Sequence, residues 1–75
     1  MQEYFVNLFW DSEALVWIAT SDQISGLVLE SGSLDVLIER VRYAAPELLQ
    51  LKGLSCERIR LKYQIERLEE VSLHG

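Results

Sequence analysis

Residues 4–10 and 15–20 are rich in aromatic and β-branched side chains, which predicts two strands. Residues 11–14 have the length of a hairpin loop. With those four residues in the turn, Trp10 is expected opposite Leu15 and Leu8 opposite Trp17. Tyr4, Val6, Leu8, Trp10, Leu15, Trp17 and Ala19 then share one face. Phe5, Phe9, Val16 and Ile18 occupy the other, with Asn7 and Thr20 as its polar members. Both faces are apolar, and a single covering helix buries only one.

The polar stretch 21–26 separates this hairpin from a short third strand expected over residues 27–30, with Asp22 and Gly26 reversing the chain. Ser31 and Gly32 break that strand. Ser33 is a suitable helix N-cap, and Asp35 in the first turn suits the helix dipole. Leu34, Leu37, Ile38, Val41, Ala45 and Leu48 recur at the spacing of a buried helical stripe, whereas Glu39, Arg40 and Arg42 fall on the wet side. Pro46 lacks an amide donor and predicts a break near Ala45, followed by a helical turn over 47–51 that Gly53 ends. Over residues 58–66, Ile59, Leu61, Tyr63 and Ile65 alternate with Arg58, Arg60, Lys62, Gln64 and Glu66, which is strict strand periodicity.

The order is β-β-β-α-β, an α+β fold. Two antiparallel hairpins and one right-handed crossover beside the first strand give a four-stranded mixed sheet of order 3-2-1-4 with one helix on one face. The domain spans residues 1–75, with a core over about 3–66 and a C-terminal tail at 67–75. One sheet face is left uncovered, and such apolar surfaces mark interfaces.

Size sharpens that point. A chain of 75 residues buries only roughly 60% of its unfolded surface, so its core is marginal without outside help. The single Cys56 cannot form an internal disulfide, and the lone His74 gives no metal-ligand cluster, so neither a metal nor a cofactor is expected. Self-association, through the uncovered face or an edge strand, is the remaining route, and a homodimer is expected. One cysteine also suits a reducing cytoplasm. The N-terminus lacks the basic-then-apolar pattern of a secretion signal, and no apolar run reaches the roughly 18 residues of a membrane span. A net charge of −5 opposes binding nucleic acid over a broad surface and favours a basic protein partner.

Catalytic chemistry finds little support. Asp11, Glu13, Asp22, Glu30 and Asp35 all fall in turns or at strand ends, where aspartate and glutamate serve as turn and cap residues. A metal-dependent nuclease using Asp11 and Asp22 is the enzymatic alternative. Cys56 has no neighbouring histidine and reads as a small half-buried side chain. No catalytic residue is assigned. The candidate interface residues are Trp10, Trp17, Phe5 and Phe9, with Arg58, Arg60 and Lys62 on one side of the last strand. Those cations either contact an acidic group or guard a solvated edge against aggregation.

Residues 9–27, FWDSEALVWIATSDQISGL, and residues 45–51, APELLQL, resemble a group of short bacterial proteins of unknown function. That group is similar to the N-terminal domain of HicB-type antitoxins, in which a tryptophan strand leads to a turn, a short strand and a helix. The resemblance covers about residues 4–51. It implies a reduced ribonuclease H-like fold and a non-enzymatic, cytoplasmic protein that neutralises a small basic RNA-cleaving toxin. Ser25 stands where that family's turn carries proline, and no DNA-binding segment follows the fourth strand, so direct DNA binding is not expected. A small dimeric ligand-binding or regulatory domain without a toxin partner is the other expectation.

Overall fold

The computed structural model describes residues 1–55 and 58–74. The strands are β1 (Gln2–Asp11), β2 (Val16–Thr20), β3 (Val28–Ser31) and β4 (Ile59–Glu66), with one helix, α1 (Leu34–Leu51), between β3 and β4. They form one sheet of order β3-β2-β1-β4, antiparallel except for the parallel β1–β4 pair. The α+β architecture and strand order are those the hydrophobic pattern predicts.

The first hairpin is offset by two residues from the expected register. Trp10 pairs with Trp17 and Leu8 with Ala19, and the loop is 12–15 rather than 11–14. Asp11 causes the shift. Its Oδ1 accepts the amides of Glu13 and Ala14 at 3.0 and 3.1 Å, and its carbonyl accepts the Leu15 amide at 2.8 Å. Closing that turn places Leu15 at φ 58°, a left-handed conformation costing a non-glycine residue about 1–2 kcal/mol. Leu15 therefore leaves the strand and is exposed. An offset of two keeps every other side chain on its expected face, because strand side chains alternate with period two.

The helix-facing side of the sheet holds Val6, Leu8, Trp17 and Ala19, all buried, with Tyr4 and Trp10 packed at their margin. The helix lies over β2 and β3 and supplies Leu37, Val41, Ala45 and Leu49. Leu49, rather than Leu48, completes the buried stripe, and Leu48 is half-buried. Ser33 caps the helix, its hydroxyl accepting the Val36 amide at 3.3 Å, and Asp35 occupies the first turn.

Contrary to expectation, α1 does not break at Ala45. It runs through Pro46 to Leu51. Proline removes one amide donor, so the Arg42 carbonyl lacks its helical partner. Arg42 lies on the exposed side, away from the core, where an unpartnered carbonyl costs far less than in the interior. Burial of Ala45 and Leu49 on either side of Pro46 holds the last turns in place. The end is a two-bond glycine cap: Gly53 at φ 91° donates to Gln50 O at 3.0 Å, and Leu54 donates to Leu49 O at 3.1 Å.

The polar connection between β2 and β3 contributes to the core, which the sequence did not suggest. Ile24 is 1% exposed, and Leu27, which precedes β3 rather than opening it, is equally enclosed. Ser21, not Asp22, organises the loop: its hydroxyl accepts the amides of Gln23 and Ile24, each at 3.2 Å. Gly26 makes the reversal at φ 88°.

Beyond β4 the chain leaves the body. Leu68, Val71 and Leu73 are all exposed, and the molecule measures 55 × 20 × 19 Å. Among the described residues no helix is long and apolar enough to cross a membrane. Cys56, expected to be half-buried, lies outside the described residues.

Candidate protein-binding surface

The side of the sheet away from α1 is built from alternate residues of its strands. Phe5, Asn7 and Phe9 of β1 lie beside Lys62, Gln64 and Glu66 of β4, with which they pair directly. On their other flank, Phe9 faces Ile18 and Asn7 faces Thr20, and Ile18 in turn faces Glu30 of β3. Phe5 and Phe9 keep 37% and 39% of their surface, and Val28 at the β3 edge keeps 71%. The uncovered face is thus apolar along its centre and charged at its margins.

Local chemistry fixes its shape. At Phe5 the β1–β2 ladder has ended, yet both backbone groups of Phe5 remain bonded. Its amide donates to Gln23 Oε1 and its carbonyl accepts the Ser21 hydroxyl, each at 2.6 Å. Side chains of the loop here replace a strand backbone. Gln23 and Asp22, with Phe5, Asn7 and Gln64, enclose a shallow hollow of 290 Å³. On the β4 side, Lys62 Nζ lies 5.6 Å from the centre of the Phe5 ring, a cation–π contact. Arg60 reaches Glu3 at 3.8 Å across an exposed pair. Arg58 precedes β4 and is exposed.

The tryptophans belong elsewhere. Trp10 and Trp17 pack edge-to-face on the helix side, with ring centres 5.5 Å apart and planes at 61°. The guanidinium of Arg67 covers both rings, at 4.3 Å from Trp10 and 5.6 Å from Trp17, while its Nε donates to Glu69 at 2.8 Å. The candidate interface residues therefore divide between two faces. Phe5, Phe9, Arg60 and Lys62 are together on the uncovered one, and Trp17 is a core residue. Near this second group, Asn7, Leu8, Phe9, Trp10, Gln64, Ile65, Glu66 and Leu68 line an open hollow of 720 Å³ where β1 and the departing tail diverge. Tyr63 lies on the helix side, where burial pushes its phenol upward, opposed in part by the Arg42 guanidinium.

Sequence reasoning missed Ser21, Gln23 and Glu3. Ser21 and Gln23 carried only the signal of a polar loop. Glu3 is legible in retrospect, because parallel pairing of β1 with β4 sets it beside Arg60. The loop and end carboxylates are not gathered: among the described residues no three His, Cys, Asp or Glu side chains stand close enough to hold a metal.

A four-stranded mixed sheet with one helix on one face defines a small α+β domain. The chain belongs to the family described as domain of unknown function DUF1902, whose profile matches residues 3–71. It is similar to the hypothetical protein TTHA1013 from the extremely thermophilic bacterium Thermus thermophilus. The crystal structure of that protein aligns with 30% identity and a TM-score of 0.72, over 96% of this chain and 100% of that one. No curated protein matches the chain.

Proposed function

We propose that this chain is a non-enzymatic protein-binding module, a HicB-like antitoxin that occludes a small, basic, RNA-cleaving protein. One observation carries the proposal: the half-exposed Phe5 and Phe9 on a sheet face that no element among the described residues covers. Aromatic side chains held on a rigid strand supply contact area at little entropic cost, which suits a protein interface. The acidic balance of −5 favours encounter with a cationic partner. Arg60 and Lys62 occupy the β4 margin, so a basic partner fits best over β1–β3, where Asp22 and Glu30 supply negative charge.

The test is co-purification with the product of the adjacent reading frame, followed by RNA cleavage by that product with and without this chain. RNA is expected to survive in the presence of the chain. Phe9→Glu should remove that protection while leaving the circular dichroism spectrum unchanged. Continued cleavage at saturating chain would refute neutralisation. The 720 Å³ hollow favours one other reading, a ligand-binding domain, since it falls in the size range of small-molecule sites. A metabolite retained in the purified protein, with no protein partner captured, would select that reading instead.

A further inference from the structure

β4 is an edge strand, paired on one side only with β1, and at eight residues it is twice the length of the opposite edge, β3. Its outer backbone groups are a template for another strand. The residues on its uncovered side are ordered by charge, Arg60 and Lys62 preceding Gln64 and Glu66 following it, and the flanking chain continues the order with Arg58 before the strand and Glu70 in the tail. A strand that is cationic in its first half and anionic in its second is complementary to itself when reversed.

We propose that a second copy of this chain pairs antiparallel with the β4 edge, with the two-fold axis at Gln64. In that register Lys62 faces Glu66 of the other copy, and Arg58 faces Glu70, each contact occurring twice. Arg60, already paired with Glu3, meets the apolar Leu68, which its stem covers. Moving the axis to Tyr63 or Ile65 leaves only one opposite-charge pair per copy, and at Ile65 it sets Gln64 against Glu66. Among the described residues Lys62, Glu66 and Glu70 have no ion-pair partner within the chain.

The same register gives the departing tail a location. Residues 67–70 of one copy run beside residues 58–61 of the other, so the exposed Leu68 gains a neighbour. An axis perpendicular to the sheet keeps both helices on one side and joins the two uncovered faces into one surface eight strands wide. The pairing does not depend on the antitoxin proposal. Failure to protect RNA would leave it intact, and failure to dimerise would leave a monomeric binding surface.

Sedimentation equilibrium and thiol cross-linking test it. In a Cys56→Ser background, Gln64→Cys should form an intermolecular disulfide on mild oxidation. Residues directly opposite in an antiparallel pair have Cα atoms about 4.5–5.5 Å apart, within disulfide range. Lys62→Cys should not, because the two copies of residue 62 lie about four residues, roughly 13 Å, apart along the strands. Lys62→Glu should weaken dimerisation by about tenfold or more, and Lys62→Glu with Glu66→Lys should restore it. A monomer at high micromolar concentration would overturn the pairing. So would cross-linking through residue 62 but not 64, or a charge reversal that its partner reversal fails to rescue.

Discussion

Ile24 and Val28 are apolar residues four positions apart, one enclosed by the core and the other at an exposed edge, and replacing each measures whether the loop is structural. Ile24 is 1% exposed, so Ile24→Ala removes three buried carbon atoms. At about 0.8 kcal/mol for each, the transfer loss is about 2.4 kcal/mol, and the cavity left behind brings the cost to about 2–5 kcal/mol. A domain of this length holds only about 4–11 kcal/mol in total, so the variant loses a large fraction of its stability. Val28→Thr retains the branched side chain at an exposed edge and should change stability by less than about 0.5 kcal/mol. Urea denaturation followed by tryptophan fluorescence is the assay: the Ile24→Ala midpoint should fall by about 1 M or more with an unchanged slope. A loss below about 1 kcal/mol for Ile24→Ala would refute the packed loop.

Pro46→Ala should stabilise the domain by about 1–3 kcal/mol, because an amide donor returns to a helix that is already continuous; thermal unfolding reads the gain, and a loss would show that proline is needed there. Arg67→Ala should cost about 0.5–2 kcal/mol and alter the tryptophan emission spectrum, since the guanidinium stacks on Trp10 and Trp17. Tyr63 has a phenol pKa raised in the folded state, chiefly by burial, so the fold binds its proton more tightly than the unfolded chain does. That contribution is full below the ordinary tyrosine range near pH 10 and is lost as pH rises through the higher folded value. Stability measured from pH 9 upward should therefore fall less steeply in Tyr63→Phe than in the parent.

The strands were legible because their side chains obey period two, and even the misjudged hairpin register left the faces unchanged. The helix boundaries were legible from Ser33 and Gly53, whose side-chain oxygen and absent Cβ have specific uses at the two ends. The turn at Leu15 was not, since nothing local marks a leucine for the left-handed region; the carboxylate of Asp11 imposes it. The continuous helix was hidden because local preference at Pro46 opposes tertiary burial at Ala45 and Leu49, and burial wins. Ile24 was hidden by polar neighbours. Of the candidate surface, Phe5, Phe9, Arg60 and Lys62 followed from alternation alone. Trp17 did not, because aromatic character suits a core as well as an interface.

The extended outline has a consequence for how the protein would be weighed. A compact chain of this length has a radius of gyration of about 11 Å, whereas the Cα trace of this one gives 14.6 Å. Retention on a sizing column follows hydrodynamic drag rather than mass, so a single 8.7 kDa chain with a projecting tail should elute ahead of its mass. An early peak could then be mistaken for a dimer. If the tail lies along a neighbouring strand in the paired state, two chains would present less drag per unit mass than one. Association would lower the frictional ratio while doubling the mass, and sedimentation velocity would record the two changes together.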